Sequence, residues 1–133
     1  MHWRDEYSLG IPEIDNQHKT LIGLFDAIEE AVKLGESWST TYFHIAELRD
    51  FARFHFACEE ALMRVFDFPD SSLHTAEHTH FLKFLSEMEN SSLRKSVEKD
   101  LVKLLRSWVT KHIVGSDRDF SRHVLSGAAV KAS

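Results

Sequence analysis

From residue 36 to its end the chain contains only three glycines and prolines: Pro69, Gly115 and Gly127. A chain so poor in helix breakers reads as mostly helical, and apolar stripes at helical spacing place the helices. Asp15 is positioned to cap a first helix with His18, Leu21, Ile22, Phe25, Ile28, Glu29 and Val32 on one face, and Gly35 can end it. Ser37 or Ser39 opens a second, striped by Ile45, Leu48, Ala52, His55, Glu59, Leu62 and Phe66 until Pro69 and Asp70 break it. Ser71 or Ser72 opens a third, carrying His74, His78, Phe81, Leu85 and Met88. After a polar break at Asn90, Ser91 and Ser92, a fourth carries Leu101, Leu104, Leu105, Trp108 and His112, and Gly115 allows it to end.

Four amphipathic helices with short links predict an all-α fold, an up-down-up-down antiparallel four-helix bundle. Residues 1–15 read as an irregular arm packed on the bundle, with Gly10-Ile11-Pro12 as a turn. Residues 16–120 form the bundle, and residues 121–133 form a C-terminal tail, mobile from residue 126. A length of 133 residues suits one domain with its own core.

The stripes are apolar except where histidines and Glu59 interrupt them, and a polar group on a core stripe must find a partner or carry a desolvation cost. His55 and Glu59 are four apart, as are His74 and His78, so each pair shares one helix face. In antiparallel neighbours, the late part of the second helix lies beside the early part of the third. The early part of the first, with His18, lies beside the late part of the fourth, with His112. All therefore fall at one end of the bundle. Nine histidines in one soluble-sized chain add weight to a metal, since imidazole is the commonest metal ligand.

Composition narrows the partners. A formal net charge of −5 and a pI near 6.0 argue against nucleic acid and anionic membranes. The single cysteine, Cys58, allows no intrachain disulfide and fits a reducing compartment. No apolar run has the length of a signal peptide core or a membrane span. The expectation is a cytoplasmic protein.

Three histidines can hold one metal and two another. Glu59 and an aspartate of the fourth segment can bridge them, and Asp117 and Asp119 both compete for that role. With one shared solvent oxygen, one metal has six ligands and the other five. Imidazole and carboxylate suit iron, zinc, copper or manganese, and a near-octahedral pair with one open position favours iron over four-coordinate zinc. Such a vacancy on a redox metal among Phe and Leu points to a small neutral ligand.

The segments WRDEYSLGIPEIDNQHKTL, HFACEEALM, HTAEH and HIVGSD, in this order, resemble the corresponding segments of bacterial hemerythrins, over roughly residues 3–120. That resemblance implies two iron ions per chain with a bridging oxo or hydroxo group. It assigns His74, His78 and His112 to the six-coordinate iron, His18 and His55 to the five-coordinate iron, and Glu59 and Asp117 as bridges. It implies reversible binding of dioxygen for storage, transport or delivery, without enzymatic turnover. Proximity in sequence nominates Trp3, Phe56, Leu62 and Ile113 as walls of the ligand pocket.

Other readings compete. Hemerythrin-like domains also serve as oxygen or redox sensors in signalling proteins, although residues 121–133 are too short to hold a signalling module. A di-iron oxidase, peroxidase or nitric oxide-handling protein is a third reading, but the chain lacks the paired Glu-xx-His motifs of ferritin-like oxidases. A two-zinc hydrolase is a fourth, with no evident general base beyond the ligands. Outside the set, His44 lies eleven residues before His55, about 16 Å along the axis, and is too far away to join it. Glu29 is equally remote from His18. His2, His80, His123 and Glu60 read as solvent-facing, Glu77 as a solvated glutamate or an outer partner of a ligand imidazole, and Cys58 as a buried inert thiol.

Overall fold

The computed structural model describes residues 2–90 and 94–127, the side chains of residues 94–97 excepted. A 3-10 turn at Asp5–Tyr7 precedes four long helices, α1 (Pro12–Lys33), α2 (Trp38–Val65), α3 (Ser71–Glu89) and α4 (Arg94–Trp108). A π-helical segment, Val109–Asp117, continues α4, and α5 (Arg118–Leu125) follows it. Helix α1 packs on α2 and on α4, and α2 packs on α3. This is the expected four-helix bundle.

Helix α1 begins four residues earlier than the Asp15 cap predicts. Proline at the first helical position needs no N–H and already holds a helical φ, so Pro12 starts the helix. Asp15 instead anchors the arm: its carboxylate accepts the Leu9 N–H at 2.8 Å and the Ser8 hydroxyl at 2.6 Å. The arm and the first turn of α1 thus overlap. Ile14, His18, Leu21, Ile22, Phe25, Ile28 and Ala31 form the buried face, while Glu29 stays half-buried and Val32 packs at the core edge. Gly35, at φ +66°, ends the helix as left-handed C-terminal glycines do.

Ser37 caps α2 by accepting the Thr40 N–H. Its buried face runs Thr41, Ile45, Leu48, Ala52, His55, Phe56, Glu59 and Met63, so Met63 takes the core position and Leu62 and Phe66 are half-buried. Asp67, at φ 48°, turns the chain toward α3; a short polar side chain tolerates that left-handed conformation. On α3, His74, His78, Phe81, Leu85 and Glu89 are buried. Glu89 occupies the core position beside half-buried Met88 and is ion-paired with Arg49 of α2. Of the expected polar break, Asn90 ends α3, and Ser91 and Ser92 lie outside the described residues.

The main core joins Leu21, Ile22, Phe25, Ile45, Leu48, Phe56, Phe81, Leu85, Leu101, Leu105 and Ile113 from all four helices. A smaller cluster of Met63, Phe68 and Phe120 closes the site end of the bundle.

The fourth helix does not end at Gly115. That glycine lies inside the π segment, and the helical chain runs on to Leu125. Residues 121–125 of the expected tail are therefore helical: Ser121 is buried, and His123, half-buried rather than exposed, reaches the Phe66 carbonyl with Nε2 at 2.7 Å. Gly10 sits where α5 meets the arm, with φ +88°, a conformation that strains any side chain; an added Cβ would lie 3.0 Å from Leu125 Cδ1, which would have to shift slightly. Residues 128–133 of the tail lie outside the described residues.

Candidate metal centre

Seven polar side chains meet at one end of the bundle, almost wholly out of solvent: His18, His55, Glu59, His74, His78, His112 and Asp117. Their ligand atoms fall into two overlapping groups. Glu59, His74, His78, His112 and Asp117 form one, and His18, His55, Glu59 and Asp117 form the other. In each group one ligand atom per residue lies within 4.8 Å of all the others.

The two carboxylates stand between the groups. Asp117 Oδ1 is 2.8 Å from His74 Nε2 and 3.2 Å from His112 Nε2, while its Oδ2 is 3.1 Å from His18 Nε2. Glu59 Oε1 is 3.1 Å from His78 Nε2 and 3.5 Å from His55 Nε2, and its Oε2 is 3.8 Å from His18 Nε2. Asp119 is exposed and pairs with Arg122, so the buried aspartate is Asp117.

Asp117 reaches this position because of the π segment. His112 and Asp117 are five apart, which on an α-helix places them about 140° from each other. A turn closed by an i→i+5 bond brings residues five apart nearly back to one face. Both side chains are buried as a result.

Three outer contacts set the imidazoles. His55 Nδ1 donates to Gln17 Oε1 at 2.7 Å, His78 Nδ1 to Glu60 Oε2 at 2.9 Å, and His112 Nδ1 to Glu77 Oε2 at 2.7 Å. A proton held at Nδ1 leaves Nε2 as a bare lone pair aimed inward, the form that ligates a metal. Each supporting residue is the sequence neighbour of a site residue, yet serves the following helical segment. Gln17 precedes His18 on α1 and holds His55 of α2; Glu60 follows Glu59 on α2 and holds His78 of α3; Glu77 precedes His78 on α3 and holds His112. A step of one residue turns a side chain about 100° around the helix, from the bundle centre toward a neighbour.

Glu60 is thus not solvent-directed, and Glu77 is an outer partner, also accepting the Ser116 hydroxyl at 3.1 Å. Gln17 escaped the sequence reading, since glutamine beside histidine carries no periodic signal. Two rings also brace the imidazoles. Phe56 stacks on His78 at 3.9 Å with planes 7° apart, and Trp108 stacks on His112 at 3.8 Å and 15°. Phe56 and Ile113 line the core beside the site, and Trp3 packs at its edge against Tyr7 under the Lys19 ammonium. Leu62 packs instead on the Met63–Phe68–Phe120 cluster, whose two phenyl rings stand edge-on to His74. His44 is half-buried against Glu47, His80 is exposed, His2 is exposed beside Asp26, and Cys58 is half-buried rather than buried.

The electrostatics favour a cation. Burial opposes charge on His18, but Asp117 and Glu59 outweigh it and raise its pKa to about 9. Burial likewise opposes charge on His112, which Asp117 and Glu77 raise to about 10. His55 is pushed down to about 4 by burial, which the attraction of Glu59 does not overcome. Burial would lift both carboxyls, yet the imidazoles hold Glu59 below its usual value and Asp117 well below. Two ionised carboxylates in a dry pocket thus draw protons onto the imidazoles when no metal neutralises them, and a bound metal replaces those protons.

Four imidazole Nε2 atoms, of His18, His74, His78 and His112, and all four oxygens of Glu59 and Asp117 are buried with no hydrogen-bond partner among the described residues. Buried polar atoms are rarely left so. Their convergence on two points fits a pair of metal ions.

The sequence matches the profile of the hemerythrin HHE cation binding domain over residues 9–124. The chain belongs to the hemerythrin family. It is 29% identical over 125 residues to a bacteriohemerythrin of Clostridium acetobutylicum, covering 89% of this chain and 96% of that one. It is 32% identical over 128 residues to a bacteriohemerythrin of Pseudomonas aeruginosa, covering 93% and 83%. A hemerythrin-like protein of Naegleria gruberi is 27% identical over 119 residues, covering 90% and 89%. As a hemerythrin-family domain the chain carries a metal-binding bundle, and no helix among the described residues is long and apolar enough to cross a membrane.

Proposed function

We propose that this hemerythrin-family chain holds two iron ions and binds dioxygen reversibly, as a cytoplasmic storage, transport or delivery protein rather than an enzyme. The observation that carries the reading is the convergence of buried imidazole nitrogens and carboxylate oxygens in two groups, one with three imidazoles and one with two, most of these atoms without a hydrogen-bond partner among the described residues. His74, His78 and His112 would hold one iron, and His18 and His55 the other. Glu59 and Asp117 would give one oxygen to each, with an oxo or hydroxo group completing the bridge. The two-histidine side, with one imidazole fewer, would be the side with room for a further ligand. The bound pair supplies the redox electrons and the vacancy that dioxygen requires.

The chain's own residues do the rest. Glu60 and Glu77 hold the protons of His78 and His112 at Nδ1. Phe56, Val109 and Ile113 exclude water from the core side, and a dry wall withholds protons that would drive oxygen reduction to completion. A cleft of about 70 Å³ lined by Phe68, His74, Glu77 and Ser116 reaches the three-histidine side from outside.

The test is anaerobic reconstitution with ferrous iron, an iron count per chain, then admission of oxygen with the visible spectrum recorded. Two irons and a charge-transfer band that disappears under argon support the proposal. Immediate oxidation without a reversible band moves the assignment to a redox sensor or oxidase, and absence of iron uptake overturns it.

A further inference from the structure

The outer face of α2 is not that of a solvated helix. Of the large exposed apolar residues described, Tyr42, Phe43, Phe54 and Val65 all belong to α2. Phe43, Phe54 and Val65 are 64%, 55% and 66% exposed, and they are spaced eleven apart, so Phe54 lies midway between the other two. Residues eleven apart differ by only about 20° around an α-helix, so the three form one row, pointing away from the buried face of Ile45, Leu48, Ala52, Glu59 and Met63. Exposed Ala57 and half-buried Cys58 and Ala61 continue that row beyond Phe54, whereas exposed Glu47 and Asp50 occupy it before Phe54.

This arrangement is complementary to itself in reverse. Set two copies of α2 antiparallel about a two-fold axis through Phe54. Phe54 then meets Phe54, and Phe43 meets Val65 of the second copy. Glu47 and Asp50 fall over the small residues Ala61 and Cys58 of the second copy, where there is room for a longer side chain. Glu47 then comes beside Arg64 of that copy, an exposed cation at the C-terminal end of the same helix. Such pairing, residue i with j and j with i, is what an isologous interface requires. We infer that the outer face of α2 docks a second copy of this chain, antiparallel about Phe54. The row spans about 33 Å, a small interface, so association belongs in the micromolar range.

The experiment uses the iron-loaded full chain in sedimentation velocity from low to high micromolar concentration. Wild type should move from monomer to dimer. Phe54→Asp should weaken association by about a hundredfold or more, because a two-fold axis places every substitution in the interface twice. Its iron count and helicity should stay unchanged. Glu47→Arg should weaken the dimer, and Glu47→Arg with Arg64→Glu should restore it. Orientation is read separately in a Cys58→Ser background with a short thiol cross-linker. Phe54→Cys should link to itself, while Phe43→Cys and Val65→Cys should link only when mixed. A wild type monomeric at every concentration overturns the inference. So does a Phe54→Asp chain that dimerises like wild type, or a Phe43→Cys chain that links to itself as readily as Phe54→Cys.

Discussion

The two halves of the metal centre share both carboxylates but not their support. On the three-histidine side, His78 and His112 each give a proton to an outer carboxylate, and each carries an aromatic ring stacked on its face. On the two-histidine side, His55 is held by the neutral amide of Gln17, and His18 Nδ1 has no partner among the described residues. An anionic partner makes an imidazole a stronger donor and fixes its orientation. One half therefore offers firmly oriented, strongly donating imidazoles, and under the proposed function the other would be the more weakly held.

The harshest test of this contrast removes what the halves share. Glu59→Ala strands four imidazoles around a vacant space, and taking one partner from a buried charged cluster costs about 3–5 kcal/mol. Iron content should fall to one per chain or none, with a lowered unfolding midpoint; two irons per chain would mean Glu59 does not bridge.

The next test separates the halves. His55→Ala should abolish the reversible oxygen band while one iron remains, read by elemental analysis beside the spectrum. His112→Ala should lower total iron more than His55→Ala does, because it strikes the better-supported half. Equal losses would erase the asymmetry.

Changes in the supporting residues should be milder. Glu77→Gln should weaken iron binding by about 10- to 100-fold in a chelator competition, and Gln17→Ala by less. A larger effect at Gln17 would reverse the ranking.

A separate test varies pH on the iron-free chain. His18 and His112 have folded pKa values of about 9 and about 10, above the ordinary histidine value of 6.5. Their contribution is fully present below pH about 6.5 and is lost as pH rises through those folded values. His55, at about 4, works in the opposite direction and lowers stability as pH falls below that ordinary value. Iron-free protein should therefore melt at progressively lower temperature from neutral pH to about 10. The loaded protein should lack that alkaline decline, because metal stands where the protons stood; an identical decline in both would show that the imidazoles do not exchange protons for metal.

Much of this was legible in the sequence. Spacings of four placed His55 with Glu59 and His74 with His78, and antiparallel connection brought four helices' worth of ligands to one level. What escaped has common causes. Gly115 read as a stop because glycine usually ends helices, but here it lies in a π segment that the five-residue step from His112 to Asp117 requires. That odd step was itself the available signal. Gln17 and Glu60 were missed because their partners lie on other helices, a relation no periodicity within one helix encodes. Asp15 looked like a cap because its role in holding Leu9 depends on how the arm folds back.

Asp117 belongs to both groups of ligand atoms, and it follows every other site residue in the sequence. Neither group is complete until the π segment has docked its last residue against the other helices. Because metal binding draws its free energy from a finished site, the affinity of both groups hangs on the docking of that one segment, and whatever loosens it loosens both at once.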